Sequence, residues 1–219
     1  DLAGRKIIGS APVGHDGTEA WLESIGTACN VARDKIDAAK NRFLPMIRAA
    51  LAAKPIDARI TVSGYEGSEL LVARLLIESG ARVPYVGTAC PRTQWSDVDR
   101  QWLESRGARV QYRASLEMDL AAVGEFKPDL AIGTTPVVQK AKQLAIPSLY
   151  FTNLISARPL FGVAGAGSLA QVVNDALGEN YIRPDESMKA QSKVMDQGRH
   201  SFIDKVKVRV ADGERWAEA

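Results

Sequence analysis

Arg59-Ile60-Thr61-Val62-Ser63-Gly64-Tyr65-Glu66-Gly67-Ser68 opens the stretch that decides the fold, which runs on to Gly87. Ile60-Thr61-Val62 is a short run with β preference, and it stops at a glycine-bounded turn. The Ser68 hydroxyl is placed to cap the helix behind that turn by accepting from first-turn amides. Leu70, Leu71, Ala73, Leu75, Leu76 and Ile77 then recur at helical spacing, and Gly80 supplies the stop. Arg82-Val83-Pro84-Tyr85-Val86 resumes an extended run that ends at Gly87-Thr88-Ala89-Cys90-Pro91. Strand, glycine turn, helix, glycine, strand predicts a right-handed parallel crossover. Ligands of such sheets sit where strands end and helices begin, so residues 63–68 and 87–92 are the first candidate loops.

The same alternation continues downstream. Residues 93–106 read as a helix with Trp95, Val98, Trp102 and Leu103 inward, closed by Gly107. Arg109-Val110-Gln111-Tyr112 is a strand, Ser115 caps a helix over 116–123, and Leu130-Ala131-Ile132 is the next strand. Gly133-Thr134-Thr135-Pro136 turns into a helix over 137–144, with Thr134 and Thr135 satisfied as its caps, and 146–151 is a further strand. From Arg59 onward the order is β-α-β-α-β-α-β-α-β, which predicts an α/β fold, a doubly wound, Rossmann-like parallel sheet with helices on both faces. A glycine-rich segment over 162–167 leaves the sheet, and Ser168 caps a helix over 169–177.

Upstream, Lys6-Ile7-Ile8 feeds a loop over 9–17. Thr18 reads as the cap of a helix whose apolar stripe is Trp21, Leu22, Ile25 and Cys29. Residues 31–53 continue as helix, kinked or restarted at Pro45. The predicted divisions are 1–56, an N-terminal loop and long helical segment of a preceding α/β domain; 57–178, a Rossmann-like domain; and 179–219, a helical tail. Within the tail, 187–210 reads as a long solvated helix with Met188, Val194 and Phe202 as its apolar contacts.

The composition, 46% hydrophobic and 25% charged over 219 residues, is that of an ordinary globular chain. A net charge of +2 gives no electrostatic footprint for nucleic acid. No apolar run is long enough to span a bilayer, and the N-terminal residues of this sequence lack signal-peptide form. Two cysteines, Cys29 and Cys90, build neither a disulfide framework nor a CxxC metal site, so a reducing, cytoplasmic compartment is expected. Because the chain opens at Asp1, a piece of a longer protein is also expected.

Individual motifs weigh mostly toward structure. The glycines of 162–167 follow Pro159 and Leu160 rather than a strand, and neither GxGxxG nor a Walker A lysine occurs, which argues against nucleotide binding. His15, between Gly14 and Asp16, reads as a surface or capping residue, and His200 as solvated. Cys90 reads as a small semi-buried hydrophobe. Arg158, beside Pro159, is either a carboxylate anchor or half of an ion pair. Trp95 and Trp102, seven apart, read as one packed helix face. Composition and spacing therefore give a sheet with switch-point loops and no self-sufficient catalytic apparatus.

Several segments carry a family resemblance. Pro12-Val13-Gly14-His15-Asp16-Gly17-Thr18-Glu19-Ala20-Trp21-Leu22 resembles the Pro-x-Gly loop and helix of the nitrogenase component 1 superfamily. Residues 59–64 with 75–80 and Val86-Gly87-Thr88 resemble its central unit, and Pro128-Asp129-Leu130-Ala131-Ile132-Gly133-Thr134 with Ala145-Ile146-Pro147 its later strands. Tyr150-Phe151-Thr152-Asn153-Leu154-Ile155-Ser156-Ala157-Arg158-Pro159-Leu160 with Gly165-Ala166-Gly167-Ser168-Leu169-Ala170-Gln171 is similar to the Y-subunit family of chlorophyllide a reductases. The match covers most of residues 6–177, and the residues after Gly178 depart from it.

That resemblance implies the catalytic component of chlorophyllide a reductase, an oxidoreductase of bacteriochlorophyll synthesis that reduces one ring double bond of chlorophyllide a. Its implied partners are a Z subunit and an iron–sulfur X subunit that hydrolyses ATP and delivers electrons. A [4Fe–4S] cluster is implied for the full complex through an N-terminal segment absent here, so this chain alone is expected to bind no cofactor or metal and to be inactive. The implied substrate cavity is lined by Ser10, Pro12, His15, Tyr65, Thr88, Cys90, Arg92, Thr152, Asn153, Leu154 and Arg158, with no catalytic residue assigned. An alternative is a nitrogenase-like scaffold that binds a tetrapyrrole or cluster precursor without turnover. A periplasmic-binding-type small-ligand domain is a third.

Overall fold

A computed structural model describes residues 8–178, and the tail helix expected within 179–219 lies outside them. Two helices, α1 (Gly14–Ala28) and α2 (Arg33–Ala52), precede the alternation β1 (Arg59–Gly64), α3 (Glu69–Glu78), β2 (Arg82–Thr88), α4 (Asp97–Glu104), β3 (Arg109–Tyr112), α5 (Leu116–Phe126), β4 (Leu130–Gly133), α6 (Thr135–Gln143) and β5 (Ser148–Tyr150). Three helices follow: α7 (Phe151–Ser156), α8 (Gly162–Ala166) and α9 (Ser168–Leu177).

The sheet order is β3-β2-β1-β4-β5, with every pairing parallel, as the alternation predicts. Val62 of β1 pairs with Val86 on one side and Ile132 on the other, which makes β1 the central strand. Five consecutive residues of β1, Ile60 to Gly64, are buried, as expected of a strand covered on both faces. Helices cover both faces. Ile60, Val62, Val86, Leu130 and Ile132 join Leu75 and Leu76 of α3, Ile47 and Leu51 of α2 and Leu169 and Val173 of α9 in one large core. Beneath α5 and α6, Val123, Ala131, Val137 and Ala141 form a smaller one. The helix-to-strand stop at Gly80 has φ +103°, with its amide bonded to Ile77 O and the Ala81 amide to Leu76 O, a left-handed turn that favours glycine.

Several local expectations give way to packing. α1 begins four residues before Thr18, whose hydroxyl donates to Gly14 O instead of capping. α2 runs unbroken through Pro45. A helical proline costs about 3 kcal/mol, but Leu44 and Ile47 on either side are buried, and burying each contributes about 1.5–3 kcal/mol. Ser68 occupies the α3 cap position without a side-chain bond; Glu69 serves the turn instead. α4 starts later than expected because Thr93 and Ser96 exchange side-chain and backbone bonds at 3.2 Å, leaving Trp95 and Val98 exposed. Only Leu103 of that face is fully buried, and Trp102 is half-buried. The glycine-rich segment is helix α8, and Ser168 begins α9 with its hydroxyl donating back to Pro159 O at 2.6 Å.

Candidate functional site

The sheet order reverses between β1 and β4, which is where a parallel sheet leaves a crevice at its carboxyl edge. A cleft of about 370 Å³ lies there, lined by Tyr65 after β1, Gly133, Thr134 and Thr135 at β4–α6, and Tyr150, Phe151, Thr152 and Asn153 at β5–α7. Phe151 is buried, whereas Tyr65 and Tyr150 are exposed. No lining side chain carries a charge, and three aromatic rings share the wall with three threonine hydroxyls and an amide. Such a wall suits a flat, largely apolar ligand with a few oxygen atoms at its edge.

Behind the cleft, a buried carboxylate organises the first loop. Glu69 is fully buried in the first turn of α3. Its oxygens accept from the amides of Glu66 at 2.7 Å and Gly67 at 3.0 Å, and from the Thr88 hydroxyl at 2.9 Å. Across the mouth, Thr152 Oγ1 donates to Glu66 Oε1 at 3.0 Å. Under α5, the Tyr85 hydroxyl donates to Asp119 at 2.8 Å. Burial pushes the Asp119 carboxyl above the usual range against that hydrogen bond, and pushes the Tyr85 phenol up as well.

Of the residues the resemblance singles out, Tyr65, Thr152 and Asn153 line the cleft. Thr88 is buried behind it on Glu69, and the half-buried Cys90 has its Sγ 3.9 Å from Tyr65 O. Arg92 is exposed and paired with Asp97 at 2.7 Å, the bond that holds the Asp97 carboxyl below the usual range. Leu154 is buried in the main core rather than in the cleft wall. Arg158, half-buried two residues beyond α7, is not among the lining residues.

Ser10, Pro12 and His15 stand apart. Pro12 O accepts from Gly162 N at 3.0 Å. The His15 amide donates to Glu78, the last residue of α3, while its ring meets Asp16 at 3.1 Å and Arg48 at 3.0 Å. α3 separates this corner from Tyr65 by about 14 Å of helix. Burial raises the Glu78 carboxyl above its ordinary range. Asp16, bonded by the Trp102 indole at 3.0 Å, is held below it.

Gly133, Thr134, Thr135, Tyr150 and Phe151 complete the cleft without having been singled out as site residues. Their signal in the sequence is a strand end followed by Gly-Thr-Thr, a pattern that helix capping alone also explains. Thr134 does occupy the α6 cap position, but without a side-chain cap bond.

Comparison with known proteins agrees with the resemblance. The chain is 73% identical over 176 residues to the chlorophyllide reductase 52.5 kDa chain of Cereibacter sphaeroides, covering 80% of this chain and 35% of that one. It is 72% identical over 178 residues to the protein of the same name from Rhodobacter capsulatus, covering 81% and 36%. The chain thus spans about a third of the length of these curated relatives. A solved structure of nitrogenase Cp1 at pH 5 superposes with a TM-score of 0.57 at 11% identity, over 81% of this chain and 42% of that one, which shows the shared fold. Residues 162–219 also match the model of the BREX system Lon protease-like protein BrxL N-terminal family. With the model of the nitrogenase component 1 type oxidoreductases matching residues 2–177, and with that fold beneath it, the chain belongs to the nitrogenase component 1 type oxidoreductase family.

Proposed function

We propose that this chain supplies a pigment-binding face to the catalytic component of a chlorophyllide reductase, which reduces a ring double bond of chlorophyllide a. The observation that carries the reading is the uncharged cleft at the switch point, walled by Tyr65, Tyr150 and Phe151 and edged by hydroxyls. A planar macrocycle matches it: the rings take the apolar faces, and Thr134, Thr135, Thr152 and Asn153 offer donors to peripheral carbonyl oxygens. In the whole protein, electrons come from an ATP-hydrolysing iron–sulfur partner, the X subunit, and the Z subunit completes the catalytic component.

An iron–sulfur cluster would supply one-electron transfer to the pigment. Residues 8–178 do not fit one. Among the described residues, no group of three His, Cys, Asp or Glu side chains could hold a metal ion, Cys29 is exposed at the end of α1, and Cys90 follows β2. The role of these residues is therefore to bind and orient the ring.

The test is titration of the chain with chlorophyllide a, followed by the shift of the pigment's red absorption band and quenching of protein fluorescence. Saturable binding is expected, weakened about tenfold by Tyr65→Ala through loss of an aromatic contact worth about 1–1.5 kcal/mol. Absence of saturation, or equal affinity in Tyr65→Ala, would remove this reading.

A further inference from the structure

Glu69 is an expensive residue where it stands. A carboxylate with no solvent access costs several kcal/mol unless its oxygens are satisfied. Among the described residues no Lys or Arg is paired with it; its partners are two loop amides, the Thr88 hydroxyl and the N-terminal turn of α3. Charge-assisted bonds and the positive end of a helix offset the burial. All three hydrogen bonds converge on the turn at the carboxyl ends of β1 and β2, the turn that delivers Tyr65 to the cleft.

The backbone is shaped around that carboxylate. A Cβ on Gly64 would lie 2.5 Å from Glu69 Oε1 and 3.0 Å from Phe151, so the strand end, the carboxylate and the cleft floor occupy one tightly packed corner. Thr88 extends the grip, since its Oγ1 accepts the Cys90 amide at 3.2 Å while donating to Glu69. The Ala89 amide adds a bond to Gly64 O at 3.0 Å. At the far side of the loop, Glu66 accepts from Thr152 of the cleft wall. Tyr65 therefore stands between two fastened neighbours, although it is itself 62% exposed.

We infer that Glu69 is the positioning residue of the cleft: it never reaches the ligand, and it holds the Tyr65–Gly67 loop so that the Tyr65 ring meets the ligand and Glu66 latches to Thr152. This rests on the proposed reading of the cleft as a pigment site and names the residue that preorganises it. Preorganisation matters because ordering a loop on binding subtracts from affinity.

The experiment compares the full chain with Glu69→Gln and Thr88→Val by hydrogen exchange of the Glu66 and Gly67 amides and by chlorophyllide titration. Glutamine keeps the shape but offers one acceptor oxygen where two are used. Loop exchange should accelerate about tenfold or more while core amides such as Val62 and Val86 keep their protection. The pigment Kd should rise about tenfold. Thr88→Val, which removes one donor and leaves the carboxylate, should show smaller changes in the same direction, and it decides the matter if Glu69→Gln does not fold. Unchanged loop protection, acceleration spread evenly over the core, or a loosened loop with unchanged Kd would each overturn the inference. Failure of the unaltered chain to bind pigment would instead remove the reading of the cleft, with loop exchange still deciding whether Glu69 holds the turn.

Discussion

Arg74 and Asp99 tie α3 to α4 through a buried ion pair whose worth can be measured. Their side chains are 3% and 10% exposed, and Nη1 lies 2.5 Å from Oδ1. The Arg74 guanidinium also lies 4.7 Å from the centre of the Trp102 ring, but its Nε is buried without an acceptor. Removing one partner leaves the other as an uncompensated buried charge, so Arg74→Met and Asp99→Leu should each cost about 3–5 kcal/mol. The double substitution restores a neutral, apolar contact and should cost only about 0–2 kcal/mol, because a pair with an unsatisfied Nε gains little over well-packed apolar groups. Urea unfolding of the four proteins gives these differences, provided the slope against denaturant stays constant. At about 2–4 °C per kcal/mol, each single substitution should lower Tm by roughly 6–20 °C. A double variant as unstable as the two singles added together would refute the reasoning, since it would mean that the two charges are independent.

Glu78 gives a pH signature. Its carboxyl titrates above the ordinary 4.5 because burial penalises the charge, so the folded chain binds a proton before the unfolded chain does. Stability should therefore rise as pH falls through the folded value toward 4.5, and Glu78→Gln should flatten that rise in chemical denaturation run across pH. Arg158 lies outside the cleft lining, so as the carboxylate anchor that the sequence suggests it would meet a propionate projecting from the ring; Arg158→Met should then weaken chlorophyllide a binding by about 1.5–3 kcal/mol, the worth of a hydrogen bond to a charged group. Pigment with an esterified propionate is the control, and undiminished preference for the acid in the variant would rule out Arg158 as its anchor.

The β1–α3–β2 unit was legible because each of its parts repeats its own period and is punctuated by glycine. The parallel, doubly wound character of the sheet followed from the alternation of strands and helices, whereas the strand order, with β1 at its centre, did not. Where a helix starts was less legible, as at Thr18 and Thr93, because side-chain bonds and packing move the boundary by a turn. Pro45 shows the same from another side: local chemistry argues for a break, and two buried neighbours outweigh it. In the site, Tyr65 was found because strand ends mark themselves. Thr134 reads in the sequence as a cap, a role that its side chain does not fill. The distance of Ser10, Pro12 and His15 from the cleft depends on where α1 docks, which no local pattern encodes. The role of Glu69 was equally hidden, since an acidic residue at a helix start reads as ordinary.

The two faces of the sheet are unequal, and the inequality has a mechanical meaning. One face packs Ile60 and Val62 of β1 and Leu130 and Ile132 of β4 with α3 into the large core, whereas the face under α5 and α6 is backed by the small cluster of Val123, Ala131, Val137 and Ala141 and by the polar Tyr85–Asp119 contact. Local opening follows the thinner apolar backing. The crevice is thus an anvil with a springboard opposite: α3, which follows Tyr65, is seated in the large core, and α6, which opens at Thr134 and Thr135, rests on the small one. A rigid disc entering between them would seat against the first and be accommodated by give in the second.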